Sequence, residues 1–172
     1  MQMPAMQTQR LLIRPTHEAD GAACLDIWLD DEMGRYLGDP PRAQASEAYL
    51  NFAVGIEEDD GWYPMVVFHR ESGAFIGTCS VVPTEDGACW DLGYCIHRDH
   101  WRQGYGTEMV TRLIDAGKAQ GIRAFTATVA QANDASNALM RKLGFRVWKD
   151  DGSFRKQGTD IVYPEYIYRL EV

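Results

Sequence analysis

Between residues 91 and 110 an apolar, strand-like run (DLGYCIHR) passes into a glycine-punctuated turn (WRQGYG, 101–106) that opens directly into a helical stretch. No other feature constrains the chain as much. A helix start leaves main-chain N–H groups unpaired and carries partial positive charge, and glycines let an anion come close to that main chain. The expected ligand is a phosphorylated cofactor. A tight strand-to-helix connection would use the same glycines for purely structural reasons. Two rival phosphate motifs fail. Met109 stands where a dinucleotide fingerprint needs its third glycine, and no Gly-Lys-Ser/Thr follows for a P-loop.

At 172 residues the chain is expected to form a single domain, 1–172, large enough to bury one core without disulfides or metal. Cys24, Cys79, Cys89 and Cys95 show no CxxC pair and sit in apolar surroundings, so they read as reduced core residues with no metal site. The N-terminus lacks a basic region followed by an apolar block, and no run approaches the ~20 apolar residues of a membrane span. A cytoplasmic protein with no membrane partner is expected. The formal net charge of -8 argues against direct nucleic-acid binding, which needs basic surface to displace counterions. That acidity suits a cationic substrate, or serves solubility alone.

Alternation at 7–14 predicts a first strand. Ala22, Ala23, Leu25, Ile27, Trp28 and Leu29 then share one broad helical face. A loop (34–41) precedes a second helix over 45–57, with Tyr49, Phe52, Ala53 and Ile56 as its buried stripe and an acidic turn after it. Aromatic and β-branched runs at 62–69, 74–82 and 88–96, parted by Glu-Ser-Gly and Glu-Asp-Gly, predict an antiparallel meander. A helix over 104–118, a strand at 123–129, a helix at 134–143 ended by Gly144, and strands at 145–148 and 161–170 complete the chain. The order β-α-α-β-β-β-α-β-α-β-β indicates an α/β domain with a mixed central sheet of about seven strands and about four helices.

The motifs LGYCI (92–96), WRQGYGTE (101–108), NDAS (133–136) and RKLGF (141–145), in this order on these elements, resemble the GCN5-related N-acetyltransferase (GNAT) superfamily. Within it they resemble the ribosomal-protein N-terminal acetyltransferase (RimJ/RimL-like) branch most, and TQRLLIR (8–14) and RYLG (35–38) are similar to that branch as well. The resemblance implies a GNAT fold and acetyl-coenzyme A (acetyl-CoA) as co-substrate, its pyrophosphate at the glycine turn, held by the N–H groups around Arg102, Gln103, Gly104, Tyr105 and Gly106 and by the Thr107 hydroxyl, with Arg102 adding charge. Trp101 stands where the superfamily pattern has Gln or Arg, a departure common in the branch.

The resemblance further implies direct acetyl transfer to a primary amine, with no covalent enzyme intermediate. Two strands of the family fold splay apart around the pantetheine arm, which would place Tyr94, Cys95 and Ile96 on one wall and Thr128, Val129 and Ala130 on the other. The tyrosine acid of many members falls at Met140 here, which cannot donate a proton, so the branch points to Ser136 as acid and Asn133 as holder of the cofactor arm. The same two residues also fit a helix N-cap and its first turn. Asp91 matches the branch's acidic position and is the candidate base. Glu85 and Glu108 are weaker candidates, Glu108 fitting a helix-start carboxylate, and His17, His69, His97 and His100 read as bystanders. Tyr36, Trp62 and Tyr63 are candidate acceptor-binding residues, or core and rim packing. The acidic runs 30–32 and 57–60 attract a cationic amine or are solvated surface. The acceptor is a protein or peptide α-amine or a small amine such as a polyamine, aminoglycoside or amino-acid-like molecule. A non-catalytic acyl-CoA sensor is the rival from another class. Exposed strand edges and an aromatic hairpin at 163–168 permit a homodimer.

Overall fold

The computed structural model describes residues 3–54 and 61–172, with backbone only over 52–54. The predicted stripe residues Phe52, Ala53 and Ile56 and the acidic run 57–60 therefore lie outside the described side chains. Period-two alternation carries the sheet: in β2 (Leu11–Pro15), Leu11 and Ile13 are buried while Leu12 and Arg14 are half-buried. β1 (Met6–Gln7) pairs antiparallel with β2. The expected single first strand is thus two short ones, because the Thr8 N–H and hydroxyl each bond the Leu11 main chain at 2.9 Å and close a tight turn.

β3 (Tyr63–His69), β4 (Phe75–Thr84) and β5 (Cys89–Ile96) form the predicted meander. β6 (Ala124–Ala130) runs parallel to β5, while β7 (Arg146–Arg155) and β8 (Val162–Glu171) form a closing hairpin. The sheet order is β1-β2-β3-β4-β5-β6-β8-β7, eight strands among the described residues rather than about seven. β7 runs seven residues past the predicted end at Trp148, because register shifts between Val147 and Gly152 let a polar stretch stay paired with β8.

α1 (Gly21–Trp28) and α2 (Glu47–Val54) cover one face of the sheet; α3 (Tyr105–Ala119) and α4 (Asp134–Lys142) cover the other. α2 begins two residues later than predicted because the Ser46 hydroxyl accepts the Tyr49 N–H at 3.1 Å, the mark of an N-cap. Under α3 lies the main core, where Met109, Val110 and Leu113 pack on Leu11, Ile13, Trp90 and Phe125. All four cysteines are buried and free. Among the described residues no helix is long and apolar enough to cross a membrane.

One irregularity positions everything that follows. β5 and β6 pair at only three positions, Cys89 with Ala124, Trp90 with Phe125 and Asp91 with Thr126. Beyond them β5 continues along β4 and β6 along β8. The sheet therefore divides between 92–96 on one side and 127–130 on the other.

Candidate active site

The glycine turn sits at the mouth of this division. Gly104 is the α3 N-cap at φ 80°, and Arg102 also has positive φ, at 58°. Left-handed residues in so short a span turn successive N–H groups toward one side, an anion-binding arrangement. The first helical bond runs from Glu108 N–H to the Gly104 carbonyl at 3.1 Å, so the N–H groups of Tyr105, Gly106 and Thr107 precede the ladder. Gly106 serves packing too, since a Cβ there would lie 3.2 Å from Leu139 of α4. The Trp101 indole donates to the Ile96 carbonyl at 2.7 Å and ties the turn to the end of β5.

Arg10 clamps the turn from outside. Its guanidinium donates to the Gln103 carbonyl at 2.9 Å and to Glu108 at 2.7 Å, and lies 4.3 Å from the Tyr105 ring centroid. Burial raises the Glu108 pKa, but the Thr8 hydroxyl, the Arg10 N–H and the guanidinium outweigh it and hold the carboxyl below its ordinary value. Glu108 is thus a fully engaged anion, poorly suited to accept a proton.

Asp91 stands at the apex of the division, in the last β5–β6 pair. The Thr126 hydroxyl donates to its carboxylate at 2.6 Å. Burial raises the Asp91 pKa above the carboxylate norm, and the Thr126 bond offsets only part of that. A carboxylate whose ionisation is disfavoured is a better proton acceptor than a solvated one. Glu85, by contrast, is exposed and ion-paired to Arg169 at 2.6 Å.

On the opposite face of β5, the Tyr94 phenol and the Ser136 hydroxyl share a hydrogen bond from β5 to the first turn of α4. The Asn133 side chain accepts the Ser136 N–H at 3.2 Å, so Asn133 does cap α4. Met140 is wholly buried in the core.

The α1/α2 face holds a cavity of about 560 Å³, within the size of ligand pockets. Trp28, Trp62, Tyr49 and Asp39 line it, and Gly93 and Cys95 of β5 form its floor. A Cβ on Gly93 would come within 2.7 Å of the Ser80 hydroxyl, so the missing side chain keeps that floor open. Asp91 lies one side-chain step beyond Gly93 on the same face of β5. Tyr49 donates its hydroxyl to Asp39, and the Trp28 indole donates to Thr78 at 3.0 Å. The Cys95 thiol, pushed up to about 12 by burial, contacts the Met33 carbonyl and is no thiolate at neutral pH.

Of the acceptor candidates, Trp62 lines the cavity. Tyr63 does not: strand alternation turns it with Met65 and Val67 into the main core, where it is 6% exposed. Tyr36 packs edge-on against Tyr163, ring centroids 5.4 Å apart. Of the acidic run 30–32, Asp30 and Glu32 pair with Arg98 at 2.7 and 3.1 Å and brace the loop. His17 leads into a short helical turn, His97 caps another, and His69 bonds Ser72. Sequence reasoning missed the Tyr94 hydroxyl, Arg10, Asp39, Tyr49 and Lys156. The Lys156 ammonium, on the hairpin between β7 and β8, donates to the carbonyls of Gly34 and Leu37 at 2.7 and 3.1 Å and so fixes the loop bearing Asp39. The family resemblance puts Tyr94 on a cleft wall and helical spacing puts Tyr49 in a buried stripe, but neither signal points to their hydroxyls.

Comparison with known proteins agrees with this geometry. Residues 10–146 match the model of the "Acetyltransferase (GNAT) domain". The chain is 29% identical over 150 residues to an uncharacterized N-acetyltransferase, YoaA, of Bacillus subtilis, covering 83% of each chain. Its fold is similar to that of an acetyltransferase from T. thermophilus (TM-score 0.80, 18% identity, 98% of this chain and 89% of that one). It is similar as well to a Salmonella typhimurium acetyltransferase that modifies the N-terminal serine of the 50S ribosomal subunit protein L7/L12 (TM-score 0.77, 16% identity, 96% of each). Because the matched stretch takes in the glycine turn, both sides of the divided sheet and the first turn of α4, this chain belongs to the GNAT family and is an N-acetyltransferase that uses acetyl-CoA as co-substrate.

Proposed function

We propose that this chain, acting as one domain over 1–172, acetylates the α-amine of a protein or peptide N-terminus, as the ribosomal-protein branch does. The observation that carries the reading is the parting of β5 from β6 immediately after the Asp91–Thr126 pair. It leaves main-chain groups of 92–96 and 127–130 without a cross-strand partner between these two strands, beside a cavity suited to one side chain of an acceptor. When bound, acetyl-CoA supplies the thioester. The residues fit it: the N–H groups at 102–107 suit a pyrophosphate, with Arg102 exposed beside them, and Cys95 and Ile96 offer main chain to the arm. Asn133 orients Ser136, Ser136 donates a proton to the departing sulfur, and Asp91 takes one from the amine directly or through water.

Trp62, with Trp28, Tyr49 and Asp39, receives the residue bearing the amine. Tyr36 and Tyr63 support that pocket's frame instead of touching the acceptor. Four free, buried cysteines fit a reducing, cytoplasmic setting. β7, at the sheet edge with Val147 and Trp148 at 43% and 50% exposure, offers a second copy a strand to pair with in a homodimer.

Release of coenzyme A thiol, measured against N-terminal peptides, polyamines, aminoglycosides and free amino acids, tests the reading. Turnover with peptides is the expected result. Turnover confined to small amines moves the acceptor class, and binding of acetyl-CoA without release for any amine identifies a sensing module.

A further inference from the structure

Ser136 alone is an awkward acid. An aliphatic alcohol is about as reluctant to lose a proton as water, whereas a thiol loses its own far more readily, at about 8.5. A serine that protonates a leaving sulfur must itself be resupplied in the same motion. The group placed to do so is the Tyr94 phenol, in direct hydrogen-bond contact with the Ser136 oxygen. Three features hold the pair in place. Tyr94 packs against the main core, Asn133 accepts the Ser136 N–H, and Asn137 donates to the Ala130 carbonyl at 3.1 Å and to Asn133 at 2.8 Å, fixing α4 to the end of β6. The bond crosses from β5 to α4 at the level where β5 and β6 have separated.

We infer that Tyr94 is the proton source for the leaving sulfur, acting through Ser136 across their shared hydrogen bond. As the C–N bond forms and the C–S bond breaks, the electron pair stays on sulfur. Ser136 gives its proton to that sulfur and takes the Tyr94 proton. The phenolate is reprotonated from solvent, and the amine's proton leaves toward Asp91 on the other face of β5. Burial pushes the Tyr94 phenol up to about 12; the Ser136 bond opposes this, while Cys95 and Tyr168 add to it. Tyr94 is therefore loaded throughout neutral pH, yet remains a far better donor than an isolated serine.

The inference rests on the proposed reaction, and single-turnover kinetics in mixtures of H2O and D2O separate the two. A relay moves two protons together, so the wild-type rate should curve with deuterium fraction. Tyr94→Phe keeps the ring, and should lower the single-turnover rate at least about tenfold, straighten that dependence and leave the affinity for acetyl-CoA unchanged. Ser136→Ala should do the same, and the double variant should be no slower than the slower single one. A wild-type line without curvature, or a folded Tyr94→Phe protein at wild-type rate, overturns the relay while the acetyltransferase stands. If Tyr94→Phe melts at the assay temperature, Ser136→Ala decides: retained curvature overturns the relay, lost curvature supports it. No coenzyme A release from wild type with any amine would instead remove the reaction itself.

Discussion

The Lys156 ammonium donates to the main-chain carbonyl of Asp39 at 2.8 Å, joining residues 117 apart in sequence. With the bonds to Gly34 and Leu37, it spends all three protons on the loop between α1 and α2. Gln157 adds an N–H to the Gly38 carbonyl at 2.9 Å. Burial lowers the Lys156 pKa and Asp39 and Asp31 raise it, the first effect winning.

Lys156→Met keeps the stem and leaves three carbonyls without their donor. The expected cost is about 3 kcal/mol, a fall in Tm of roughly 6–12 °C. In steady-state assays below the new Tm, the KM for the amine should rise several-fold while the KM for acetyl-CoA holds. An equal rise in both would detach the clamp from acceptor binding.

Asp91→Asn separates activity from stability. Its carboxyl is raised in the folded state, so the protonated form favours folding, and that stability is lost as pH rises through the folded value. At pH 7 the ionised form is thus a burden that Asn lacks. The variant should melt no lower than wild type, yet lose on the order of 10²–10⁴-fold in kcat. The acidic limb of the wild-type pH–rate profile should lie above the ordinary carboxylate value and vanish in the variant.

Glu108→Gln should show the opposite pH signature. The folded carboxyl is depressed, so its contribution is present above the unfolded pKa and lost as pH falls through the folded one. Removal of the charge should cost about 2 kcal/mol at pH 7 and far less near pH 3, read by chemical denaturation at both. A pH-independent cost would contradict the ionised cluster with Thr8 and Arg10.

Gly104→Ala and Gly106→Val test the turn by different routes. At φ 80° an added Cβ strains the backbone by about 1 kcal/mol. At Gly106 a side chain pushes into Leu139 and over the turn. Both should weaken acetyl-CoA binding at least tenfold by calorimetry, with the KM for the amine little altered.

What could be read from sequence was local. The α3 start was visible because Gly104, Gly106 and an amphipathic run are neighbours, and the meander because its turns lie between β-rich runs. Of the two readings left open for Tyr63 the structure takes core packing, and sequence could not choose because the run from Met65 to Val67 is apolar on both faces. The parting of β5 and β6 followed only from the family resemblance, since nothing in 92–96 distinguishes a strand with two neighbours from one with a single neighbour. The Tyr94–Ser136 bond and the Lys156 clamp join residues 42 and 117 or more apart. Such meetings depend on strand order, which periodicity does not encode.

The similarity to the family model stops at residue 146, the first of β7. Yet β8 lies between β6 and β7 in the sheet, and the hairpin carries Lys156 to the loop that ends at Asp39. A fragment excised at the homology boundary would uncover the β8-facing edge of β6 along all its seven residues and release the loop that ends at Asp39. The family match thus stops short of residues on which the fold depends: the 26 residues from 147 to 172 complete the sheet beside β6, hold the loop that ends at Asp39, and, through the Tyr168 hydroxyl donating to Asn137 at 2.8 Å, brace the helix that carries Ser136.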